Sequence, residues 1–68
     1  MFTIVFQDKK TGFHDRISHI SQMWMDYENN KKYVCLMIVD TSFVGGERIL
    51  KIPFINLIID RIEMEITS

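Results

Sequence analysis

Two histidines and an acid, His14, Asp15 and His19, come nearest to a chemical site in this sequence. Imidazole nitrogens and a carboxylate can ligate zinc, but such a site needs several ligands converging on one point. Five residues apart, the two histidines fall on opposite faces of a strand and well apart on a helix. Neither geometry gathers them without a bend. They read as ordinary polar residues, and no metal is expected. Cys35 is the only cysteine. A reactive thiol needs a base or cation to lower its pKa. Cys35 sits within the apolar run 33–39 with no His or Arg beside it, so a buried, inert thiol is expected.

Gly45-Gly46, after Thr41 and Ser42, could form an anion nest. It lacks the lysine and the helix start of a phosphate loop, so a plain connection between strands is expected. The carboxylates Asp8, Asp15, Asp26, Asp40, Asp60, Glu63 and Glu65 are dispersed along the chain, whereas a glycosidase pair must converge in a cleft. Glu63 and Glu65 read as the solvated face of a strand. Nothing assigns a nucleophile, a base and an electrophilic partner together. The expectation is therefore no enzyme and no cofactor.

The elements that would have to position any site belong to one domain, residues 1–68, since the length leaves no room for a second. A chain this short buries a modest share of its surface and often needs a disulfide, a metal or a partner subunit. One cysteine forbids an intrachain disulfide. The chain compensates with 47% apolar residues, among them eleven isoleucines. That is more than a small interior holds, so large apolar side chains must reach the surface or an interface. The net charge is −1 with mixed signs, and Lys9-Lys10 and Lys31-Lys32 are isolated pairs. Nucleic-acid binding favours clustered cations, so it is disfavoured. The longest uncharged apolar stretch, 52–59, is far short of the ~20 residues of a membrane span. No leader pattern is visible at the start, and a single free thiol makes the cytoplasm the default compartment. Absent alanine beside abundant isoleucine fits an AT-rich bacterial or phage genome.

Residues 2–7 alternate, with Phe2, Ile4 and Phe6 on one face, which predicts a strand. Residues 8–12 carry Asp and Gly and read as a hairpin loop. Residues 13–28 are ambiguous. Ile17, Ile20, Trp24 and Tyr27 would make one helical stripe, with Asp15 as a cap. Against the helix stands Asn29-Asn30, because asparagine accepts the positive φ of a type I′ hairpin turn. A hairpin there places Glu28 opposite Lys31, Met25 opposite Val34, Trp24 opposite Cys35, Ile20 opposite Val39 and His19 opposite Asp40. The strand reading is preferred. Residues 41–46 read as loop and 48–52 as a strand with Leu50 and Ile52 inward. A 3₁₀ turn is expected at 53–57, then a last strand alternating Ile62, Met64 and Ile66 with Arg61, Glu63 and Glu65.

The expected fold is mainly β: a small five-stranded antiparallel barrel, or a strongly bent sheet, with a short 3₁₀ turn before the last strand. Its element order resembles SH3-like and Sm-like barrels in architecture alone. The alternative is α+β, with one helix at about 15–27 packed on a four-stranded antiparallel sheet. On the strand reading both faces of the second hairpin are apolar, Trp24 with Cys35 and Met37 on one, Met23 and Met25 with Val34, Leu36 and Ile38 on the other. One face would be core and the other an interface, where Trp, Tyr and Met are enriched. Met23, Trp24, Met25, Tyr27 and Tyr33 are the candidate protein-interaction residues. The functional expectation is a non-enzymatic, self-associating interaction module, of the kind a phage or mobile element uses to modulate a host protein, with a heterologous protein as the second candidate partner. The alternative is a small nucleic-acid-binding barrel, which would stack bases on exposed aromatics in a basic groove.

Overall fold

The computed structural model describes residues 1–39 and 46–65. Five strands form one antiparallel sheet: β1 (Phe2–Asp8), β2 (His14–Glu28), β3 (Lys31–Val39), β4 (Glu47–Pro53) and β5 (Leu57–Met64), with a 3₁₀ turn, η1, at Phe54–Asn56. The spatial order is β4-β3-β2-β1-β5. Residues 14–28 are strand throughout, so the helix alternative is wrong. Its stripe of spacings is overridden by the turn that follows. Asn29 and Asn30 have φ of 52° and 64°, as a type I′ turn requires, and the turn locks β2 onto β3 with Glu28 opposite Lys31. The first hairpin closes similarly. Asp8 and Phe13 bond across it, the Asp8 carboxylate accepts the Lys10 amide, and Gly12 takes a φ of 78°.

Ladder partners share a face, and the pairings place every core side chain on one side of the sheet. Ile4, Phe6, Ile20, Val34, Leu36, Ile38 and Leu57 form the buried cluster, with Phe2, Ile17 and Ile52 packed against it. A flat single sheet with no second layer leaves such residues wet. Here Ile4, Ile20 and Leu36 are 0% exposed, so the sheet must wrap around its own face. The curl comes from β2. Its first half pairs with β1 and its second half with β3. Between them it gains one extra residue against each neighbour, at Ser18–His19 against β1 and at Ser21 against β3, as bulges that bend and twist the strand. His19 carries the positive φ, 61°, and the Ser21 hydroxyl donates to the Met37 carbonyl.

These bulges correct one expected pairing. Ile20 faces Ile38 rather than Val39, because Ser21 is an extra residue that shifts the register by one. The pairings of Met25, Trp24 and Glu28 stand as expected. Asp40 and the loop before Gly46 lie outside the described residues, so the pairing of His19 with Asp40 does too. Leu50 and Ile52 lie on the core face, as their alternation predicts, and Pro53 ends β4 on the sheet's edge, where its missing N–H is tolerated. The last strand starts earlier than expected, at Leu57.

The barrel does not close. Among the described residues β4 pairs only with β3 and β5 only with β1, so the sheet keeps two free edges.

Candidate interaction surface

The concave face is buried at its centre and open at its rim. Met23 and Met25 stand beside Leu36 and Val34 on the core side, yet both are exposed. Leu50, the β4 partner of Leu36, is exposed as well. On the far edge Ile59, Ile62 and Met64 lie opposite Phe6, Ile4 and Phe2 on the same face, and Ile62 and Met64 are 52% and 74% exposed. Large apolar side chains from β2, β4 and β5 thus ring the cluster that the sheet has buried.

The five sequence candidates do not form one patch. Met23, Met25 and Tyr27 belong to the concave side, Tyr27 opposite Lys32 at the end of the hairpin. Trp24 and Tyr33 belong to the convex side and are each half-buried. There Trp24 lies opposite Cys35, which is buried, and Cys35 opposite Lys51. The Lys51 ammonium stands 4.9 Å above the Tyr33 ring and pairs with Glu28 and Asp26. The hydrogen bond that the Lys51 ammonium donates to the Glu28 carboxylate holds the Lys51 pKa above its ordinary 10.5.

The rest of the convex face is mixed, with Met37 and the exposed Ile49 and Ile58 among polar residues, and it carries a row of side-chain pairs between β2 and β5 that sequence reading missed. Side chains of β2 reach across β1 to β5. His14 Nδ1 lies 3.2 Å from Asp60 Oδ2, Arg16 Nη2 3.6 Å from Glu63 Oε2, and His19 Nδ1 3.5 Å from Glu65 Oε2. Asp60 is the extra residue of a bulge between the partners of Val5 and Phe6, which turns its carboxylate toward His14. Glu65 also accepts the His19 amide at 2.7 Å and the Thr3 hydroxyl at 2.9 Å, with Ser18 Oγ 3.2 Å from that hydroxyl. The His19 amide is the main cause that holds the Glu65 carboxyl below its ordinary 4.5. Glu63 is held low chiefly by Arg61.

Glu63 and Glu65 therefore do more than solvate an outer face. Glu65 pins the backbone of the β2 bend, and Thr3 is buried beneath it. No sequence signal pairs these residues, because the two bulges that align them are invisible to a period-two reading. The bulge at His19 also brings both histidines to the same side of the sheet, against the expectation of opposite faces. Each engages its own carboxylate, and among the described residues no three metal-ligating side chains gather.

No family model matches the chain, and no curated protein or solved structure gives a significant match.

Proposed function

We propose that this protein acts by binding rather than catalysis, as a small interaction module whose partner on the concave face is a second copy of itself. The observation that carries the reading is the open rim. Met23, Met25, Leu50, Ile62 and Met64 are exposed on the face whose centre is dry. A small domain without a disulfide commonly gains its missing burial from another subunit. Homo-oligomers supply this through symmetric contact of identical patches. The two sheet edges that are unpaired among the described residues flank the rim and offer backbone donors and acceptors to the same neighbour.

Met23, Met25 and Tyr27 belong to this contact, and Trp24 and Tyr33, on the convex side, stand outside it. The finer fold reading, an SH3-like or Sm-like barrel, has the strand order and the η1 turn before β5 in its favour. A cytoplasmic site of action accords with the free thiol of Cys35.

The test is solution mass by light scattering across a range of concentrations, for the wild type and for Ile62→Lys and Met64→Lys. Both positions are exposed, so the monomer should keep its fold. The reading expects a dimer or larger species that each lysine converts to monomer. A wild type that stays monomeric at every concentration, or variants that associate unchanged, would overturn it.

A further inference from the structure

A second surface lies at the hairpin end of the sheet, where η1 passes against β3. A groove runs there between Lys31, Lys32 and Tyr33 on one wall and Pro53, Phe54 and Ile55 on the other. Ile55 is 78% exposed and Phe54 is also exposed. Asn56 closes the groove, and its carbonyl accepts the Lys9 amide at 2.9 Å. The Lys9 backbone thus meets η1 on one side and the Lys32 side chain meets it on the other, and of the four lysines only Lys31 and Lys32 line the groove.

The charges at this end are unequal. Among the described residues neither Lys31 nor Lys32 has a carboxylate within ion-pair distance, whereas Glu28, the nearest acid on the hairpin, is held by Lys51. The groove therefore combines an apolar wall with unneutralised cations in a protein whose net charge is −1.

We infer that this groove binds an acidic peptide segment that carries an apolar side chain. The apolar residue would lie on Ile55 and Pro53, and the carboxylates would meet Lys31 and Lys32. The aliphatic wall argues for a peptide over single-stranded nucleic acid. Base stacking uses open ring faces, and Phe54 and Tyr33 each have one face already taken by a lysine ammonium, Lys32 at 4.6 Å and Lys51 at 4.9 Å. Aliphatic wall residues suit a leucine or isoleucine better than a base. The inference is independent of the concave rim, since the groove lies on different residues.

The test titrates ¹⁵N-labelled protein with a six-residue peptide of alternating aspartate and leucine, followed by amide shifts at low salt. Controls are the same peptide with asparagine for aspartate and a single-stranded oligonucleotide. The expected result is saturable shifts confined to residues 30–33 and 54–56, absent with the asparagine peptide. Lys31→Gln with Lys32→Gln should weaken binding by about tenfold, as two exposed charge pairs allow. Ile55→Ser, at an exposed site where folding is not at stake, should weaken it severalfold. Shifts that are equal for the neutral peptide, that map to the concave rim, or that are matched by the oligonucleotide would overturn the inference. So would the absence of saturable shifts.

Discussion

Two isoleucine truncations on the same face should differ in a way that reads out both the curl of the sheet and its open rim. Ile20 is 0% exposed and is the β2 residue paired to β1 on one side and β3 on the other. Ile20→Ala removes three carbon groups at ~0.8 kcal/mol each, about 2.4 kcal/mol of transfer free energy. A partly unrelaxed cavity at ~24 cal/mol per Å³ adds about 1 to 2 kcal/mol. A chain of this size has a total stability of roughly 3–10 kcal/mol. Ile20→Ala should therefore lose roughly 3–4 kcal/mol, enough to unfold the chain at the low end of that range and to remove a third or more of its stability at the high end, with Ile20→Val losing about 1 kcal/mol. Ile62 is 52% exposed, so Ile62→Ala should cost the monomer about half the transfer term, roughly 1 kcal/mol. If a second copy covers the rim, the loss should grow with protein concentration. The assay is urea unfolding followed by the fluorescence of the single Trp24, at two concentrations a hundredfold apart. An Ile20→Ala protein with near wild-type stability would refute the wrapped sheet. An Ile62→Ala loss as large as that of Ile20, at both concentrations, would show that the sheet closes over β5.

Other consequences follow from the turn, the charge row and the thiol. Asn30 has a φ of 64°, so Asn30→Gly should keep or raise stability by a few tenths of a kcal/mol, while Asn30→Ala should lose about 1 kcal/mol, both read by urea unfolding. Glu63 and Glu65 have folded pKa values below their ordinary 4.5. Their contribution is complete above that value and is lost as pH falls through the lower folded values. Thermal midpoints should therefore hold down to about pH 5 and fall below it, and Glu65→Gln should flatten that acid limb while lowering the midpoint at neutral pH. Cys35 is buried, so a thiol reagent should modify it only on unfolding, with a rate that rises with urea.

Local chemistry made most of the backbone legible. The alternation of residues 2–7, the Asn29-Asn30 turn and the breaker before η1 each specify an element without help from the rest of the chain. Paired asparagines outweighed the helical stripe of Ile17, Ile20, Trp24 and Tyr27, because a type I′ turn dictates that the chain before it return as a strand. The bulges at His19, Ser21 and Asp60 were not legible. Each is a tertiary compromise that lets one strand serve two neighbours or aim a carboxylate, and no residue type marks it in advance. The surface suffered most from this. Counting alternate faces back from the Asn29-Asn30 turn placed Met23 and Met25 correctly on the side of Val34 and Leu36, and failed only on crossing Ser21, where it set Ile20 opposite Val39. Yet that side is both the core and the exposed rim, a combination that requires knowing how far the sheet curls. The roles of Glu63 and Glu65 failed for the same reason, since Arg16 and His19 come into reach only once β2 and β5 flank β1.

A second copy covering the concave rim is the core of the proposed function. Isotope-filtered NOE spectroscopy on a mixture of methyl-labelled and unlabelled protein tests it most directly, since only contacts between copies give signal. Intermolecular contacts are expected at the methyls of Met23, Met25, Leu50, Ile62 and Met64. Contacts confined to the convex side, at Ile49 and Trp24, would contradict it, as would a complete absence of intermolecular contacts at millimolar concentration.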